Sequence, residues 1–133
     1  MTKRNIFKID VSPAAFTLLG VSSHENDYRL SWNLNEHLHL GLAQTENFIS
    51  GTGQEFSCFA WEDENNSTIL LISNRCDNGF LLDKYKNIDF ILKIDPELTA
   101  EDLSTWQNKL KKVPLVSATF PIPINKTILQ ILG

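Results

Sequence analysis

The chain has 133 residues, 42% apolar, 21% charged and 10% aromatic, the size and mix of a single domain that buries about two-thirds of its unfolded surface. Six Gly and five Pro exclude a collagenous chain or a flexible linker, and the apolar fraction excludes intrinsic disorder. Twelve basic against sixteen acidic residues leave a net charge of −4, which argues against general affinity for duplex nucleic acid or anionic lipid, since both rest on cationic surface.

The opening Met1-Thr2-Lys3-Arg4-Asn5-Ile6 carries a positive pair without an apolar stretch behind it, so no signal peptide is expected. No apolar run approaches the ~20 residues that span a bilayer. Two unequally placed cysteines, Cys58 and Cys76, fit a reducing, cytoplasmic setting.

Asn5 to Ile9 alternates, and Asp10 with Pro13 makes a turn into a strand over 14–22, which is apolar, short and punctuated by Gly20 and Ser22. A helix follows over Asn26 to Leu40. Ser22 and Glu25 have capping-box spacing, and Glu25 and Asp27 place negative charge at the helix start. Leu30, Leu34 and Leu38 recur every fourth residue with Tyr28 and Trp32 one strip over, and Gly41 is the natural residue to end the helix in a left-handed conformation.

Residues 46–95 read as β structure. Glu55 to Trp61 and Ser67 to Ser73 flank the polar Glu62-Asp63-Glu64-Asn65-Asn66, which predicts a hairpin, and Asp77-Asn78-Gly79 predicts a second turn. Asn87 to Ile94 reads as a half-buried strand with Ile88, Phe90, Leu92 and Ile94 on one face and Asp89 and Lys93 on the other. A second helix is capped by Thr99 with Asp102 and carries one stripe of Leu103, Trp106, Leu110 and Val113. Lys109, Lys111 and Lys112 suit its C-terminal end, and Pro114 stops it. Leu115 to Phe120 reads as a strand, with Pro121 and Pro123 restricting any continuation to an edge. The pattern predicts one α+β domain over 1–133, with a mainly antiparallel sheet of about five to seven strands and two main helices packed on one face. Residues 121–133 are expected either to dock on the domain or to serve as an exchanged tail.

The stretch from Phe16 to Asn35, with Asp27-Tyr28-Arg29-Leu30 opening the helix and Leu34-Asn35 closing the segment, resembles the IPExxxVDY family of small, uncharacterised proteins of Bacteroidetes. Phe59-Ala60-Trp61-Glu62-Asp63, Leu71-Ile72-Ser73-Asn74 and Phe90 to Asp95 match its middle landmarks in order. The motif that names the family is altered: Val113-Pro114-Leu115 stands for Ile-Pro-Glu, and Thr119-Phe120-Pro121 for Val-Asp-Tyr. The resemblance implies a bacterial cytosolic protein and supplies no catalytic residue.

No residue pattern demands catalysis, a metal or a cofactor. Glu36 and His39 have a metal-helix spacing, but a lone Glu-x-x-His lacks the ligands that further helices would supply, and His37 and His39 point about 200° apart. Cys58 between Phe56 and Ala60 reads as a small buried hydrophobe rather than a nucleophile served by His24; Cys76 beside Arg75 reads as more exposed. Glu62-Asp63-Glu64 lacks the alternating ligands of a calcium loop, and Phe56, Phe59 and Trp61 lack the interleaved cations of a nucleic-acid platform.

Two functions remain. The first is a non-enzymatic interaction or regulatory module that binds itself or another protein. Phe59 and Trp61 have opposite parity to Phe56 and Cys58, so a second apolar sheet face needs cover from Ile128, Leu129 and Leu132 or from another copy. The alternative is a pocket for a small anionic ligand at the start of the first helix, built from Ser23, His24, Tyr28, Arg29 and Trp32.

Overall fold

The computed structural model describes residues 16–133. The expected strand over Asn5 to Ile9, its turn, and the first two residues of the strand at 14–22 lie outside the described residues.

In chain order the elements are β1 (Thr17–Ser22), α1 (Asp27–Leu38), β2 (Ala43–Gln44), β3 (Phe48–Ile49), β4 (Glu55–Phe56), β5 (Cys58–Glu62) and β6 (Thr68–Ser73). There follow β7 (Arg75–Cys76), β8 (Gly79–Phe80), β9 (Phe90–Asp95), α2 (Ala100–Leu110), β10 (Ala118–Pro121) and α3 (Lys126–Leu132). Six strands form one antiparallel sheet in the order β10-β1-β9-β6-β5-β2, and β3-β4 and β7-β8 are separate two-stranded ribbons. The protein is α+β, as its alternating strands and two striped helices predict.

Strand parity sorts the core into two layers. Leu19, Val21, Phe59, Ile69, Leu71, Phe90, Leu92 and Ile94 point to one face, where Leu30 and Leu34 of α1 and Leu110 of α2 cover them. Leu18, Cys58, Ile72 and Ile91 point to the other, where Ile128 and Leu132 of α3 pack with Leu81, Leu82 and Ile88 from the segment before β9. That segment is stapled to the sheet by Asn74, which is wholly buried. Its amide Nδ2 donates to the carbonyls of Tyr85 and Ile88, and its Oδ1 accepts from the Leu82 N–H. Ile88 sits so close over β1 that a Cβ at Gly20 would collide with its side chain.

Four local expectations are corrected. β9 is a central strand, buried on both faces rather than half-buried, because α3 and the 81–88 segment cover its second side. Ile88 precedes the strand and packs with Ile91, not with Phe90. The cap of α1 is Asn26, whose side chain accepts from the Arg29 N–H, while Ser22 belongs to β1 and gives its hydroxyl to the Asn87 carbonyl. His39, not Gly41, takes the left-handed conformation after α1, at φ 56°. Gly41 serves a close approach instead, for a Cβ there would come 3.0 Å from the Trp61 indole.

The second helix follows its stripe. Thr99 accepts from the Asp102 N–H, Leu110 is buried, and Leu103 and Trp106 pack against the same layer. The helix ends at Leu110, however, so Val113 is buried from the turn beyond it, and the strand expected from Leu115, which has φ 80°, begins only at Ala118. The predicted strand from Glu55 to Trp61 divides at Ser57 into β4, paired with β3, and β5, paired with β2 and β6. The hairpin joining β5 to β6 turns where expected. Asp63 Oδ1 accepts the N–H groups of Asn65 and Ser67, and Asn66 has φ 63°.

Candidate functional site

Two surface regions gather the residues singled out from the sequence. The first is a polar depression where the end of β1 meets β6 and β9. Asp89 holds its floor: one carboxylate oxygen accepts the Ser23 N–H at 2.8 Å and the other pairs with Arg75 at 2.8 Å. Ser23 is buried, His24 is exposed, and both line a hollow of about 310 Å³ with Glu25, Ser73, Arg75 and Phe90. An adjoining hollow of about 400 Å³ shares Ser73, Arg75 and Phe90 and adds Asp27, Glu55, Asp77 and Cys76.

This depression is poorly suited to an anion. Its carboxylates are Glu25, Asp27, Glu55, Asp77 and Asp89, while its one arginine is already paired. Four backbone donors at or just before the helix start are also engaged. Ser23 gives its N–H to Asp89, Glu25 to Ser23 Oγ, Tyr28 to Asp27, and Arg29 to Asn26. A helix start attracts anions through free N–H groups, and here side chains of the chain itself occupy those of Tyr28 and Arg29 in the first turn. Nothing local in the sequence marks Arg75, Asp89 and Ser73 as one cluster, because residues 23, 75 and 89 meet only in the folded sheet.

The five residues expected to form a ligand pocket therefore divide. Ser23 and His24 line the depression; Tyr28, Arg29 and Trp32 do not. Arg29 Nε pairs with Glu25 Oε1 at 2.8 Å, one turn back along the same helix. Tyr28 donates its hydroxyl to Gln44 Oε1 at 2.6 Å and sets its ring edge-on to Phe59, with centroids 5.6 Å apart at 87°.

The second region is the outer face of α1. Leu30 and Leu34 fix how the helix is rotated, since both are fully buried. At ~100° per residue Trp32 stands roughly 200° from Leu30 and roughly 160° from Leu34, directly away from the sheet. It is 62% exposed and Tyr28 is 61% exposed. Among the described residues only Ile49 is another large, exposed hydrophobe. Beside Trp32 on this face are Arg29, one turn toward the helix start, and Glu36, one turn toward its end.

The interaction surface expected from parity lies elsewhere in the fold. Phe59 is buried beneath α1, and Trp61 packs against the same layer under Gly41. Ile128 and Leu132 are buried against the chain's own second sheet face, and Leu129 packs there too. The two sets lie on opposite sheet faces, Phe59 and Trp61 under the α1 layer and the tail over Leu18, Cys58, Ile72 and Ile91, so the tail does not cover Phe59 and neither set presents a surplus apolar surface.

The remaining candidates behave as structural residues. Cys58 is buried, and desolvation raises its thiol above the ordinary range, the opposite of an activated nucleophile. Cys76 Sγ donates to Asn78 Oδ1 at 3.2 Å. Among the described residues no group of three or more His, Cys, Asp or Glu side chains could hold a metal ion, and no helix is long and apolar enough to cross a membrane. No protein-family model matches this chain, and no curated protein does.

Proposed function

We propose that this protein is a non-enzymatic interaction module whose contact surface is the outer face of α1, centred on Trp32 with Tyr28 beside it. One observation carries the reading. In a fold that buries its apolar residues in two layers, a tryptophan and a tyrosine one turn apart on the same helix are both more than three-fifths exposed. Large amphipathic rings of this kind supply most of the energy at protein contacts, at low entropic cost. An exposed pair of them on a rigid helix is otherwise a solubility cost.

The same reading takes the chain as a relative of the IPExxxVDY family working in the bacterial cytosol. Its supports are the Phe16 to Asn35 segment and two cysteines that are both free. The anionic-ligand alternative has weaker support, because carboxylates and engaged N–H groups surround the helix start.

The test is affinity capture from cells of the source organism at near-physiological salt, with nuclease added and mass spectrometry as readout. The wild-type chain and an Ile49→Ala control should retain a stoichiometric protein, a second copy included, that the Tyr28→Ala/Trp32→Ala variant loses. Identical capture by all three would sink the reading.

A further inference from the structure

We infer that the occupant of the α1 face is a second copy of this chain, bound through its own α1 in antiparallel orientation about a two-fold axis near Trp32. The inference rests on the interaction-face reading above and names its partner.

The argument is charge complementarity under symmetry. In a two-fold contact, if residue i meets residue j of the other copy, then j meets i. Residues seven apart on a helix lie on nearly the same line, drifting only about 20°. Arg29 and Glu36 are such a pair, and they flank Trp32 on one side. When two α1 helices lie antiparallel with Trp32 near the axis, Arg29 of one copy falls opposite Glu36 of the other, twice over.

No two like charges meet in this arrangement. The parallel alternative would set Arg29 on Arg29 and Glu36 on Glu36.

Both ions are exposed to solvent. Arg29 is 63% exposed despite its pair with Glu25, and Glu36 makes no ion pair among the described residues. Trp32 and its symmetry mate would fill the centre, with Tyr28 on the second flank.

The contact is small. Twelve helical residues span about 18 Å, and two such helices side by side bury less than the ~1,200 Å² of a standard specific interface. The dimer should therefore be reversible and fall apart on dilution.

Sedimentation velocity over a dilution series tests this with four variants. The wild-type mass should rise from 15.1 kDa toward twice that value as concentration increases, and Trp32→Ala should stay at the monomer mass with an unchanged circular dichroism spectrum. Arg29→Glu and Glu36→Arg should each weaken the dimer by roughly tenfold or more, because every reversal acts at both symmetric contacts. The double variant Arg29→Glu/Glu36→Arg should restore it.

A monomeric wild type, a dimer indifferent to Trp32→Ala, or two reversals that do not rescue each other would each overturn the inference. If the wild type is monomeric but captures another protein from cells in a Trp32-dependent way, the second-copy inference fails and the interaction face stands. If it is monomeric and capture ignores Trp32, both fail.

Discussion

Two aromatic pairs lie on opposite sides of one packing boundary. Phe59 and Trp61 are on β5 beneath α1; Tyr28 and Trp32 are on α1 itself. Phe59 is only 4% exposed, whereas Trp32 is 62% exposed. Tyr28 straddles the boundary, its ring edge against Phe59 while most of its surface faces water. The difference teaches that aromatic content alone identifies neither core nor contact surface. What decides is the rotation of α1, which Leu30 and Leu34 set by filling the first sheet layer.

The comparison can be broken most forcefully at Phe59. Phe59→Ala should cost about 3–5 kcal/mol of stability, since it leaves a cavity between β5 and α1; equilibrium urea unfolding would measure it, and a cost near zero would mean that α1 does not sit on this layer. Asn26→Ala removes the side chain that caps the Arg29 N–H. It should cost about 1 kcal/mol, read as a lower midpoint in the same titration. Trp32→Ala should change stability by less than about 0.5 kcal/mol, as exposed substitutions do. A large loss there would make Trp32 part of the fold and remove it as a contact residue.

Much of this architecture was legible because it rests on local spacing. The stripe Leu103, Trp106 and Leu110, the Thr99 cap, the Leu30 and Leu34 rows and the β5–β6 hairpin all follow from period and turn chemistry. What was not legible depends on distant partners. Ser22 has the spacing of a cap, yet the sheet claims it for β1 and leaves the cap to Asn26.

Parity showed that Phe59 and Phe56 face opposite ways, but nothing local says which face receives α1. That ambiguity misplaced the expected contact surface. The tail at Ile128 to Leu132 is nearly all apolar and shows no helical period, so only its docking on Leu81, Leu82 and Ile91 reveals a short helix. The candidate surface was half visible. Tyr28 and Trp32 stand out in the sequence, but as walls of a pocket with Ser23 and His24, which the fold turns to another side.

The most direct test of the central claim combines capture with a fold check on one variant. The Tyr28→Ala/Trp32→Ala chain should melt within a few degrees of the wild type, as exposed substitutions in a domain of this size do, and should lose its stoichiometric partner or its second copy. Undiminished capture at an unchanged melting temperature would contradict the account, because the exposed aromatic pair would then have no part in binding.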